Sequence, residues 1–396
     1  MRADMKTLCV FLCVLCVSAV SQPLHKAELI FPQEKWHNHA SSVVELANGD
    51  LLVVWYHGSG ERSADDVIIE AARKIKGESS WRPRFLIADT PGFPDCNPAL
   101  FIDAKQRLWL FWPLIVANEW HTALLRFQVS SDYQNAQRPP RWERSDVMLL
   151  KPDTMAKDVQ QALEKQPPPA AESDDPRIKA YIARLKEHAA DKYFARMGWM
   201  PRVHPTLLPS GRIVLPLYSD GYSFSLMALS DDGGDTWKAS APLVGAGNIQ
   251  PSVVRKNDGT LVAYMRDNGP APKRIQVSTS RDEGMTWSPP VDSELPNPGS
   301  GVEAIRLRDG TWAMVYNDTE RGRNSLALSL SDDEGKTWKW TRYLEKAAAG
   351  QYHYPSIIQS RDGLLHITYS YFTTEGQAIK HAAVNLEWVK TSEAQR

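Results

Sequence analysis

Disulfide chemistry has almost no place in this chain. Three of its four cysteines, Cys9, Cys13 and Cys16, fall within the first 21 residues, and only Cys96 lies beyond them. Those 21 residues read as a secretory leader: Arg2 and Lys6, then an apolar run from Leu8 to Val17, then the small-x-small step Ala19-Val20-Ser21. The expected product is secreted or periplasmic, and with one cysteine left it must rely on its core. Charge of one sign is also lacking: the formal net charge is -1, which gives no field for nucleic acid. After the leader no run of 18 apolar residues occurs, so membrane insertion is not expected. His37, His39, His57, His204 and His353 lack a His-x-x-x-His spacing, so no metal and no cofactor is expected. A monomer is expected.

What the chain does have is a repeat. A polar residue, usually followed by Pro or Ala, leads through a short apolar stretch to a turn, which an alternating strand follows. The copies begin at His39, Asn97, His204, Gln250, Glu303 and Tyr354. Their turns are Asn48-Gly49, Gln106, Gly211, Asp258-Gly259, Asp309-Gly310 and Asp362-Gly363. The strands that follow are expected at Leu51–Trp55, Leu108–Trp112, Ile213–Tyr218, Leu261–Met265, Trp312–Tyr316 and Leu365–Tyr369. Most copies are 46 to 58 residues apart, which suits four-stranded blades around an axis. The expected fold is all-β, a six-bladed β-propeller over residues 27–390.

A second motif, S-x-D-x-G-x-T-W, recurs at Ser230–Trp237, Ser280–Trp287 and Ser331–Trp338, with a weak relic at Ser130, Asp132 and Trp142. The Ser and Asp oxygens suit backbone amides of one turn, Gly suits a positive φ, and Trp suits packing between sheets. This motif is architectural. The long gap between Asn97 and His204 holds a helical insertion at 151–196, with Pro167-Pro168-Pro169, an acidic Glu172–Asp175 and a helical run Arg177–Arg196. It either lies at the rim or covers the site.

In a propeller the inner strands begin near the axis, so His39, Asn97, His204, Gln250, Glu303 and Tyr354 are expected to ring one central site. Six polar residues at equivalent core points need partners, either one another or a ligand. A ligand-binding or catalytic role is expected at that ring.

In its six repeats and its S-x-D-x-G-x-T-W boxes the chain resembles the sialidase (neuraminidase) superfamily, in particular its bacterial members with Asp-box (BNR) repeats. Beside hydrolysis of a terminal anionic sugar, two functions stay open: β-elimination on a uronate polymer with His39 or His204 and Tyr354 moving protons, and glycan binding without catalysis. The resemblance implies an exo-glycosidase of the exo-alpha-sialidase type, acting on a glycan with a terminal acidic sugar. It implies a tyrosine nucleophile at Tyr354, with Tyr352 as the alternative, and a general acid at Asp66, with Asp65 next. It implies arginine forks for the substrate carboxylate at Arg266 and Arg323, with Arg321 as a substitute. Two positions depart from that pattern. His39-Ala40-Ser41 replaces Arg-Ile-Pro, which leaves Arg62 to supply a third arginine. Gln250 stands where a glutamate assists the tyrosine, which leaves Glu303 as the expected base. His39, Gln250, His204 and Asn97 complete the expected substrate-binding ring.

Overall fold

The computed structural model describes residues 22–165 and 176–391. The leader expected at 1–21, Pro167-Pro168-Pro169 and Glu172–Asp175 lie outside the described residues. Six sheets, each of four antiparallel strands, make a six-bladed propeller. Five blades run from inner to outer strand in chain order. The last takes its outer strand, His25–Leu29, from the start of the chain, paired from His25↔Val384 to Leu29↔Lys380. This closure joins the two ends of the described chain without a disulfide, and Cys96 is buried and free.

The second strands begin where the repeat places them, and several run further: Leu51–Gly58, Leu108–Ile115, Ile213–Ser219, Leu261–Asp267, Trp312–Tyr316 and Leu365–Thr373. All six inner hairpins turn in the same way. The amides of Gly49, Gln106, Gly211, Gly259, Gly310 and Gly363 each donate to the carbonyl three residues back. Each of these residues has positive φ, which is why five are glycine. Neighbouring inner strands are tied by hydroxyls. Leu100 N donates to Ser42 Oγ at 3.0 Å, Val43 N to Ser356 Oγ at 3.1 Å, and Ala304 N to Ser252 Oγ at 3.0 Å.

The S-x-D-x-G-x-T-W boxes are hairpin locks. In the first, Ser230 Oγ donates to Asp232 Oδ1 at 2.8 Å and accepts from Gly234 N at 2.7 Å, while Thr236 N donates to Asp232 Oδ1 at 2.9 Å. The other two repeat these bonds. The box tryptophan reaches the preceding blade: Trp237 meets Trp109 edge-on at 6.3 Å, and Trp338 meets Tyr264 at 5.9 Å. Such contacts bury large aromatic area between blades.

The insertion carries α1 (Met155–Lys165), α2 (Pro176–Ala190) and α3 (Lys192–Arg196). Met155, Val159, Leu185, Ala189 and Ala195 join the core of the second and third blades. Tyr222 Oη donates to His188 O at 2.9 Å, and Phe194 stacks on His188 at 3.6 Å. The helices therefore brace the loop after Ile213–Ser219, which carries Asp220 at the rim of the axial site.

Candidate active site

Strand register shows which residues share the ring. The inner-strand residues paired to the start of each second strand are Glu45, Ile102, Leu207, Arg255, Arg306 and Gln359. Five residues upstream of them stand Ala40, Asn97, Arg202, Gln250, Gly301 and Tyr354. Asn97, Gln250 and Tyr354 are where the repeat places them. His39, His204 and Glu303 are not at the equivalent point. Ala40, Arg202 and Gly301 take it, and this corrects the expected ring. Ala40, Asn97, Gln250 and Tyr354 all have φ between 39° and 55°. Register shifts at His39/Ser42, Ile249/Ser252 and His353/Ser356 mark bulges in the same strands. A bulge with a left-handed residue re-aims a side chain out of the pleat, here toward the axis.

Tyr354 is the hub. Its Oη accepts from Arg266 Nη1 at 2.9 Å and from Gln250 Nε2 at 3.3 Å. His39 stacks on its ring at 4.4 Å and 19°. The guanidinium carbons of Arg202 and Arg323 lie 4.8 and 5.6 Å from the ring centre. Gly301 completes the fit, since a Cβ there would stand 3.3 Å from Tyr354 Cδ1 and 3.2 Å from Gln250 Oε1.

Arg266 and Arg323 thus meet at one tyrosine. Arg266 also donates to Asn268 Oδ1 at 3.2 Å, and Arg323 Nη2 donates to Gly299 O at 2.8 Å. Among the described residues, neither has a carboxylate in ion-pair contact. Burial pulls the Arg323 pKa down, while the Arg266 pKa rises because Tyr354 and Tyr218 beside it outweigh its own desolvation. Tyr352, the alternative nucleophile, is buried in the core of the fifth and sixth blades, and Arg321 is exposed.

Glu303 is not paired with Tyr354. Its Oε1 faces His204 Nδ1 at 2.6 Å and accepts from His204 N at 3.0 Å, and its Oε2 accepts from Ile357 N at 2.8 Å. His204 Nε2 faces Val43 O at 2.8 Å. Both imidazole nitrogens meet acceptors, so both donate and the ring is the cation. Burial disfavours both charges, but the partner outweighs it: the His204 pKa is raised and that of Glu303 lowered. The pair holds together the inner strands of four blades and is spent on that. Neither residue is free to be a base or a ligand for substrate.

Asp66 is exposed, and its two oxygens accept from Ser59 N at 3.2 Å each, with Ser59 Oγ donating to Oδ1 at 2.8 Å. It closes its own loop. Asp65 accepts from Asn118 Nδ2 at 2.9 Å. Arg62 leans over Trp120 at 5.6 Å and pairs with Glu119 at 3.5 Å. It stands beside the cleft and does not touch Tyr354. Asn97 Nδ2 donates to Tyr218 Oη at 3.2 Å.

Four further groups belong to the site. Arg202, 2% exposed, reaches Ser41 O at 3.4 Å and Pro355 O at 3.2 Å beneath Tyr354. His353 is buried against His39 at 4.6 Å, with neither ring nitrogen partnered. Burial, with neighbouring cations and imidazoles, holds His39 and His353 well below the usual histidine pKa, so both are neutral. Glu61 accepts from Tyr56 Oη at 2.8 Å and lies 3.2 Å from His37 Nε2. Asp220 keeps solvent exposure, yet desolvation in the cleft raises its pKa. The signal for Arg202 was present in the sequence: each true ring residue precedes its turn residue by nine, as Arg202 precedes Gly211. Glu61 and Asp220 carry no such signal.

Unpaired buried polar atoms collect around this hub: Asn97 Oδ1, Gln250 Oε1, Arg266 Nε and both nitrogens of His353. Buried polar atoms are rarely left so, and a polyhydroxylated ligand is one group that would satisfy them. Arg202 and Glu303, the latter paired with His204, are buried close to this hub.

Residues 187–367 match a BNR repeat-like domain. An anhydrosialidase of Macrobdella decora is 25% identical over 203 residues, covering 46% of this chain and 26% of that protein. The match therefore spans about a quarter of that relative's length. A Hadza microbial sialidase superposes with a TM-score of 0.64 at 17% identity, over 89% of this chain and 66% of the other. A protein of unknown function from Dyadobacter fermentans superposes with a TM-score of 0.67 at 16% identity, over 91% and 98%. At these identities the solved structures speak for the propeller fold alone.

Proposed function

We propose that this chain, a sialidase-like protein of BNR repeats, is a secreted exo-acting glycosidase. It removes a terminal anionic sugar, sialic acid or a related acid, through Tyr354. The observation that carries this reading is the hold on Tyr354 Oη by Arg266 at 2.9 Å, with Arg323 beside the same ring. A guanidinium donating to the phenolic oxygen stabilises negative charge there, which a tyrosine needs in order to attack. Two guanidiniums without carboxylate partners fit an acidic group presented as a planar fork.

A second reading rests on His353. Its unpartnered nitrogens, close to His39 and Tyr354, suit proton abstraction and donation on a uronate held by the arginines. One experiment separates the readings. The purified protein is given fluorogenic sialosides and uronosides, and separately uronate polymers whose unsaturated products absorb in the ultraviolet. Release of the fluorophore by wild type, abolished in Tyr354→Phe, supports the glycosidase. Unsaturated product without fluorophore release supports elimination. Glycan binding with no turnover of either overturns both catalytic readings.

A further inference from the structure

Among the described residues, no carboxylate is hydrogen-bonded to Tyr354. Gln250 stands at the ring position beside Tyr354, Glu303 is bound to His204, and Asp66 is turned to Ser59. Glycoside chemistry still needs a group that gives a proton to the leaving oxygen and takes one from water. Glu61 lies in the same loop as Asp66, but at its start and facing the other way. Its loop leaves the second strand of the first blade after Gly58, and Glu61 lies five residues after Tyr56. Tyr56 pairs across the ladder with His39, the residue stacked on Tyr354.

The contacts of Glu61 run straight to the hub. Oε1 accepts from Tyr56 Oη at 2.8 Å and lies 3.2 Å from His37 Nε2. His37 meets His39 edge-on at 5.4 Å, and Tyr56 meets His39 at 5.5 Å. Both interactions fall on one oxygen, so Oε2 is left open, and the side chain keeps 38% of its exposure. This is a carboxylate held in place on one side and accessible on the other.

We propose that Glu61 is the acid–base carboxylate of this site, with Tyr56 and His37 as its positioning residues. The inference rests on the glycosidase reading. In the first half-reaction, Tyr354 Oη, opposite Arg266, bonds to the anomeric carbon and releases its proton to solvent water. The glycosidic C–O bond breaks, its electron pair goes to the leaving oxygen, and that oxygen takes the proton from Glu61. In the second half a water adds to the same carbon and passes a proton to Glu61. The bond to Tyr354 then breaks, with the pair returning to the phenolic oxygen, which takes a proton back from solvent water. Charges and protons end where they began.

The surroundings of Glu61 set a direction for pH. His37 comes from the first inner strand, Tyr56 from the next strand, Arg62 from its own loop, Arg323 from the fifth blade and Asp220 from the third. Burial works against the charge of Glu61, but the bonds from His37 and Tyr56 outweigh it and lower the pKa. The form of Glu61 that protonates the leaving group is therefore populated on the acid side.

The test compares wild type with Glu61→Gln, Tyr56→Phe, Asp66→Asn and Asp220→Asn on two substrates. One is an aryl glycoside whose leaving group needs no proton, and the other is an unactivated oligosaccharide. Glu61→Gln is expected to lose about 10²–10⁴-fold on the oligosaccharide, to lose far less on the aryl glycoside, and to lose the limb of the pH profile that falls toward alkaline pH. Tyr56→Phe removes a donor to the carboxylate but keeps the carboxylate, so its limb moves to higher pH, an effect that a merely structural role would not produce. If Glu61→Gln keeps the wild-type ratio between the substrates, the inference falls and the glycosidase reading stands. It falls in the same way if the signature appears in Asp66→Asn or Asp220→Asn instead. If wild type turns over neither substrate, both fall together.

Discussion

Glu303 Oε1 lies 2.6 Å from His204 Nδ1 at the axis of the propeller, and the contact joins the fifth blade to the third. Because His204 also faces Val43 O and Glu303 also accepts from Ile357 N, one ion pair ties in the first and sixth blades as well. A ring of sheets is weakest where it must close, and here a buried charge pair sits at the convergence of the strands.

Stability should therefore follow the titration of this pair. The His204 pKa is raised, so its contribution is full below the unfolded value of 6.5 and fades as pH rises through the folded pKa. The Glu303 pKa is lowered, so its contribution is full above the unfolded value of 4.5 and fades as pH falls through the folded pKa. Both are complete together between those two values, and stability from this pair is greatest there. Glu303→Gln strands a buried cation and should lose about 3–5 kcal/mol. Urea denaturation across pH measures it, and an unchanged midpoint at pH 5.5 to 6 (about the centre of that window) would show that the pair does not stabilise the closed ring.

Among the described residues Arg266 is the only cation donating to Tyr354 Oη, so its loss should be read mainly in the rate. Arg266→Gln keeps a donor of similar reach but removes the charge, and kcat/KM should fall about 10²–10³-fold, the range for removing one donor to a developing oxyanion. Steady-state kinetics on the best aryl glycoside checks this. A change in KM alone would place Arg266 in ground-state binding only.

Much of this architecture was legible in the chain. The six Asp-Gly or related turns and the three S-x-D-x-G-x-T-W boxes are local signals, because each turn meets its own hydrogen-bonding needs within a few residues. Tyr354 and Gln250 were legible for the same reason, lying at set distances from those turns, whereas Arg266 and Arg323 were legible only through the family resemblance. In three blades a polar residue before Pro or Ala is a poor marker of the ring: His204 and Glu303 stand two residues past the ring position, and His39 stands one before it. The better ruler was the nine-residue count to the turn residue, which Tyr354 and Gly363 already obey and which leads to Arg202 and Gly301. Glu61 and Asp220 were beyond reach, because their roles depend on how loops fold over the axis and not on any spacing.

Gly301 tests the hub by size alone. A methyl group there would stand 3.3 Å from Tyr354 Cδ1 and 3.2 Å from Gln250 Oε1, tighter than ordinary contact, with ordinary backbone φ. Gly301→Ala should push Tyr354 aside by a few tenths of an ångström. Activity should drop about tenfold, since small misplacements of a reacting group are costly in rate. The thermal midpoint should barely move. Equal loss of activity and stability would instead mean that Gly301 serves packing and not the placement of Tyr354.

Gly335 tests the architecture in the same way, far from the chemistry. It belongs to the third box, has φ of 78°, and a Cβ would come within 2.2 Å of Tyr264 Oη in the fourth blade and 3.0 Å of Trp312 in its own. Gly335→Ala therefore meets two penalties at once: a left-handed backbone that L side chains avoid, and an overfilled gap between blades. Together they should lower unfolding stability by about 2–4 kcal/mol, from roughly 1–3 for overpacking and about 1 for the backbone. Residual kcat in the fraction that stays folded should match wild type, because no residue of the Tyr354 hub touches this box. Urea unfolding and active-site titration on the same preparation check both halves, and a full loss of kcat in folded protein would mean that the boxes hold the site as well as the sheets.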